Sequence, residues 1–235
     1  MPRTKALSIY NKLAKAAEVY TEKINEEPDN WLQFNEQHLK EIKKENQTKV
    51  KEAAISTLTK ILKEVEDLSS EIEMKKKQAL FPLLSSNDDS NKLRGEQQIT
   101  NANLIFQGHF LSGNEEYLLN EINQAIQDGR KDYASALINQ VRSYPAQTDA
   151  QINIRNKVND IADNYFTKIG VSELDEVKNL NLHNSELAVI ASKLVEKGKE
   201  HIYLPPFESD NYSDKIVLEQ IRMETGINAE SFQSV

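Results

Sequence analysis

The sequence predicts an all-α protein with a long N-terminal helical arm, partly coiled-coil-like, followed by a multi-helix C-terminal bundle. Three observations carry this. Residues 29–81, between Pro28 and Pro82, contain neither glycine nor proline. Apolar residues recur at helical spacing along most of the 235-residue chain. The 7 glycines fall mainly at the ends of periodic stretches, where a left-handed residue closes a helix. A single helix over residues 29–81 would reach roughly 80 Å at about 1.5 Å per residue, more than one compact domain of this size needs.

The first helix is expected over residues 4–25, with Ile9, Leu13, Ala17, Tyr20 and Ile24 on one face. It ends at Asn25-Glu26-Glu27-Pro28, because the residue before a proline is pushed out of the α region. A second helix opens near Asp29, with Trp31, Phe34, His38, Leu39 and Ile42 on a broad face. Residues Lys43 to Lys49 carry no apolar side chain, and no breaker marks a turn, so the helix is expected to continue. Beyond it, Ala54, Leu58, Ile61, Val65, Leu68 and Ile72 alternate steps of four and three. With Leu58, Val65 and Ile72 at heptad position a, the others fall at d, a pattern that suits parallel dimers. It lasts under three heptads, and Ile55 and Leu62 widen the stripe beyond a two-position seam. Two readings follow: a self-association or partner interface formed by these six residues with Trp31, or an antiparallel bundle in which the preceding segments fold back on the stripe.

Pro82 to Asn91 (PLLSSNDDSN) has turn-forming composition and sets a domain division: 1–82 as helical arm or hairpin, 83–95 as linker, 96–235 as an acidic helical domain. In that domain Ile99, Ala102, Phe106 and Phe110 suggest a helix, weakened at Gly108 where a short extended piece is an alternative. Asn114 caps a helix closed by Gly129, and a partner helix with Tyr133, Leu137 and Val141 stops before Pro145. Thr148 with Gln151 forms a capping box before a helix that ends at Gly170. Ser172 opens a short turn of helix, and Asn184 or Ser185 starts another that ends at Gly198. His201 to Leu204 reads as a short strand or ordered loop, and Ser213 caps a last helix with Ile216, Val217 and Ile221.

Charge and composition narrow the function. The net charge of −8 is uneven: residues 1–82 hold 15 Lys/Arg and 14 Asp/Glu, and residues 83–235 hold 14 and 23. A near-neutral arm and an acidic body argue against nucleic acid as a direct partner, since phosphate binding needs excess Lys/Arg. With no cysteine there are no disulfides, thiolate metal sites or cysteine nucleophiles. No apolar run reaches the roughly 20 residues of a membrane span, and Met1 to Tyr20 lacks the apolar core of a signal peptide. The abundance of Lys, Asn and Ile reflects A/T-rich codons, as in a low-GC bacterium or its phages.

The search for chemistry yields no catalytic residue, cofactor site or metal site. His38, His109, His183 and His201 form no i, i+4 pair, and no phosphate-binding glycine loop or nucleophile elbow occurs. Asn87 to Asn91 offers oxygen donors at alternate positions, but Lys92 and Gln98 stand where a calcium loop requires Gly and Glu. Glu64, Glu66, Asp67, Glu71 and Glu73 read as a charged helix face among lysines.

The expectation is therefore a non-enzymatic helical structural or assembly protein working through protein partners or self-association, cytoplasmic or, if phage-encoded, in the virion. Within that class a scaffolding, connector or capsid-assembly role is the first reading, and a cytoplasmic adaptor that binds a partner through its helices the alternative. An all-helical metal-dependent enzyme, its site assembled from scattered Asp, Glu and His, is the third.

Overall fold

The computed structural model describes residues 2–27 and 35–204. Its helices are α1 (Pro2–Ile24), α2 (Glu36–Leu80), α3 (Asp89–Ile105), α4 (Glu115–Gln127), α5 (Lys131–Ser143), α6 (Asp149–Lys168) and α7 (Val171–Glu196), with a π turn at Phe106–Phe110. The described residues contain no strand, so the all-α class holds. Trp31 and the segment from Pro205 onward, including the helix expected after Ser213, lie outside the described residues. No helix among the described residues is long and apolar enough to cross a membrane.

The chain divides into two compact units: residues up to Glu71 with those from Val177 onward, and Ile72–Glu176. The division therefore falls within α2 and α7, not at residues 83–95 as the sequence suggests. The physical reason is local. The connection after Leu80 is a tight turn, and Leu80 on one side and Ala102 on the other belong to one hydrophobic core.

In the first unit α1 folds back antiparallel on α2. Lys5 pairs with Glu71, and Lys12 Nζ donates to both Glu64 carboxylate oxygens at 2.8 and 2.6 Å. Ala6, Ile9, Leu13, Ala17, Tyr20 and Ile24, the face read from the sequence, are buried. So are Leu58, Ile61, Val65 and Leu68, all at 4% exposure or less; Ile72, where the second unit begins, is buried as well. The heptad-like stripe is therefore closed within the protomer, and its assignment as a free interface is corrected: the bundle reading is the one observed. The polar stretch Lys43–Lys49 stays helical, as expected from its lack of breakers.

The C-terminal part of α7 completes this unit. Two helices were expected between Ser172 and Gly198, yet α7 is continuous. The reason lies in Asn184, which is fully buried and donates its amide to Ala6 O at 2.8 Å instead of capping a new helix. Asn181, one turn earlier, donates to Val65 O and Ser69 Oγ at 2.9 and 2.8 Å. Residues 201–204 are extended but form no strand, and Tyr10 Oη donates to Leu204 O at 3.4 Å.

The second unit packs α3, α4, α5 and α6 around Phe110, Leu118, Ile122, Leu137, Ile138, Val141, Ile154 and Val158. Asn114 caps α4 as expected, accepting from Tyr117 N. Gly129, at φ 70°, closes α4: its N–H reaches Ile126 O at 3.3 Å and Arg130 N–H reaches Ala125 O at 2.9 Å, a Schellman arrangement. Thr148 caps α6, but the reciprocal bond of the box goes elsewhere. Gln151 Oε1 accepts from Gln147 N at 2.8 Å, one residue before the cap.

Asp132, in the first turn of α5, is completely buried, and its two carboxylate oxygens accept from Leu83 N and Leu84 N at 3.1 and 2.9 Å. Gly95 makes room for this contact, since a Cβ there would stand 2.7 Å from Leu84 N and 2.9 Å from Asp132 Oδ1. The Gly108 region is neither α-helix nor strand. It is the π turn, in which Phe106 and Phe110 stack at 5.0 Å and both meet Tyr144 edge-on.

Replacing both Ile61 and Leu68 with Asp is expected to remove most of the first unit's stability, because each change places a carboxylate in a dry core. Circular dichroism should show a large drop in melting temperature. Burial pushes the Tyr133 phenol far above its ordinary 10.0, and its hydrogen bond to Glu121 Oε2 at 3.0 Å adds to the shift. The fold thus favours the neutral phenol. This contribution is complete below pH ~10 and is lost as pH rises beyond it. Tyr133→Phe should therefore move the midpoint of alkaline unfolding upward while weakening the protein at neutral pH by about 1 kcal/mol for the lost hydrogen bond.

Candidate interaction groove

A concavity among the described residues lies between α1 and α2 in the first unit. It encloses about 650 Å³ and is lined by Lys12, Lys15, Ala16, Val19, Tyr20 and Lys23 of α1 and by Lys49, Val50, Ala53, Ala54, Thr57, Lys60, Ile61 and Glu64 of α2. Its origin is readable in side-chain size. Leu13, Leu58 and Leu68 are buried, whereas the described lining of the trough carries the small side chains of Ala16, Ala53 and Ala54.

The floor is apolar and the rim cationic. Val19 is 38% exposed, a large aliphatic side chain open to solvent at the groove edge. Lys12 is held by Glu64, and Lys49 by Glu45 at 2.7 Å. Lys15, Lys23 and Lys60 are exposed and have no acidic partner among the described residues. Among the described residues of the lining Glu64 is the one carboxylate, and it is engaged. Tyr20 is 2% exposed, and its hydroxyl has no hydrogen-bond partner among the described residues. Burial, with a smaller contribution from the charge of Glu200, raises its pKa and keeps the phenol neutral.

Of the sequence-predicted interface residues, Ala54 and Ile61 line this groove. Leu58, Val65, Leu68 and Ile72 are buried away from solvent. Lys15, Ala16, Val19, Lys23, Val50, Ala53 and Lys60 were missed. The signal present in the sequence was the coincidence of small residues with unopposed lysines, which a search for a continuous apolar stripe passes over.

Among the described residues no group of three or more His, Asp or Glu is placed to hold a metal ion. In the loop considered for calcium, Asp88 caps α3 by accepting from Ser90 N, and Asp89 pairs with Lys92 at 3.4 Å. From the acidic run of α2, Glu64 and Glu71 reach lysines of α1. On the second unit His109 stacks on Tyr117 with centroids 3.9 Å apart, next to exposed Leu111. The His109 ring nitrogen meets Asn114 Nδ2 at 3.4 Å, and Ser112 Oγ donates to His109 O at 3.2 Å.

The three lysines do little for the fold as it stands. Exposed charges without partners contribute little to stability, so Lys15→Gln, Lys23→Gln and Lys60→Gln together should change it by less than ~1 kcal/mol, measured by urea unfolding.

No family model matches the chain, and neither the curated proteins nor the solved structures include a significant match to it.

Proposed function

We propose that this protein works through protein contacts, as a helical adaptor or assembly component, and that the α1–α2 groove is its contact surface. The observation that carries the proposal is an open apolar trough with a cationic rim on a helical pair. An exposed apolar concavity of this kind marks an interaction site more often than an accident of packing. Helices of partner proteins dock in such grooves by laying one apolar face against the floor.

The stripe from Leu58 to Ile72 supports this division of labour. Its apolar side chains are buried in the protomer, which supports reading the N-terminal segment as part of a bundle. A groove three or four turns long suits one helix of one partner, which favours an adaptor over a shell-forming component.

Ala53→Trp fills the trough from its floor and tests the proposal directly. Full-length protein and this variant should melt alike, because Ala53 is exposed. The variant should lose at least tenfold in affinity for any protein partner that the full-length chain retains. Equal retention by both, or stoichiometric divalent metal kept through dialysis, would move the function away from the groove and toward the metal-enzyme reading.

A further inference from the structure

We infer that the groove is built for an acidic amphipathic helix of a partner protein, about 12–15 residues long, lying as a fourth helix beside α1 and α2. This rests on the groove being the contact surface and goes on to specify what fills it. The length comes from the lining. It spans Lys12 to Lys23 on α1 and Lys49 to Glu64 on α2, which at about 1.5 Å per residue is roughly 17–22 Å, or three to four turns.

The helical form follows from the site's construction. Helices α1, α2 and α7 already pack as a bundle, with Asn181 bonded to α2 and Asn184 to α1. Residues 202–204 border Asn11, Ala14, Lys15 and Glu18 of α1, so Lys15 stands between that contact and the groove. The groove uses Lys12, Ala16, Val19 and Lys23, on the other flank of the same helix. One more helix laid there packs beside these three, with its apolar stripe on Val19, Val50 and Ala53.

The charge of the occupant follows from the rim. The Lys12–Glu64 pair and the antiparallel direction of α1 and α2 place Lys60 level with Lys15, on opposite edges of one end of the groove. Lys23 lies eight residues further along α1, about 12 Å away at the rise of a helix. A docked helix therefore meets cations on both sides of its apolar stripe. Carboxylates at its flanking positions would answer Lys15 and Lys60 at one end, with a further carboxylate about two turns along for Lys23. A basic helix would meet uncompensated like charge at each of these points. Nucleic acid fits less well, since phosphates need no apolar floor and the chain as a whole carries −8.

The test is selection of helical 15-residue peptides from a displayed library on the full-length protein, counter-selected on Ala53→Trp. Enriched sequences should carry apolar residues at i, i+3, i+4 and i+7 flanked by Asp or Glu. Their affinity should fall about tenfold in a Lys15→Gln, Lys23→Gln, Lys60→Gln variant and weaken with added salt, as three rim ion pairs of ordinary strength imply. Peptides that need the open groove but lack acidic flanks, or ignore the lysine changes, would overturn the charge assignment and leave the groove standing. Enriched peptides indifferent to Ala53→Trp, or no enrichment at all, would overturn both. A mass of two chains that returns to one with Ala53→Trp would assign the groove to a second copy instead. A gain in peptide affinity on Ile221→Asp would assign it to residues 213–225 of the same chain.

Discussion

Two buried amides determine how the first unit is put together. Asn181 and Asn184 stand one turn apart on α7 and deliver their N–H groups to Val65 O and Ala6 O. Each carbonyl belongs to a helix distant in sequence by more than a hundred residues. A buried amide without such a partner costs about 1–3 kcal/mol, so the register of α7 is set by where these acceptors lie. A slide of one residue would strand both donors. The same pair explains why α7 is one helix. Side chains that would otherwise turn back on the local backbone and start a new helix are committed to neighbours. The first unit is thus assembled from both ends of the described chain, with α7 bonded to both helices of the α1–α2 hairpin. Contacts of that sequence separation form late and slowly.

The second unit rests on a different device of the same kind. Asp132 sits at the N-terminal turn of α5, where the helix dipole already favours a negative charge, and there it receives two backbone N–H groups from the turn after α2. This ties the turn to the start of α5 through charge-assisted hydrogen bonds. Gly95 is the complement of that arrangement, because any side chain at its position would enter the space held by Leu84 and Asp132. A glycine inside a helix normally weakens it by up to about 1 kcal/mol relative to alanine. Here the close approach it permits outweighs that cost.

Much of the helical pattern was legible from spacing alone. Ile9, Leu13, Ala17, Tyr20 and Ile24 lie on the buried face of α1, and Asn114, Gly129 and Thr148 mark helix ends by side-chain capping or positive φ. These features depend on residues close in sequence, which is why they can be read from it. What could not be read depends on distant pairs. Nothing local distinguishes Asn184 as a capping residue from Asn184 as a buried donor; the difference is Ala6 O, which arrives through the fold. The division of the chain was obscured in the same way. The composition of residues 82–91 suits a linker, yet a tight turn inside one core needs the same residue types. The groove was the least visible feature, because it is defined by what is missing from the facing positions of two helices.

That last point bears on how the two surfaces of α2 differ. Leu58, Val65 and Leu68 have the larger side chains, and they look like the binding surface when the sequence is read one helix at a time. Large apolar side chains are the ones that a protomer can bury profitably in its own core, and α1 and α7 supply partners for them. The flank of α2 from Lys49 to Lys60 carries alanines and lysines, which contribute little to packing against α1 and so stay open. A helix from outside can bring the missing bulk to such a surface, with the rim cations selecting its charge. Smallness at Ala16, Ala53 and Ala54 is therefore informative in a way that a strong stripe is not: it preserves room that the chain's own hairpin does not fill.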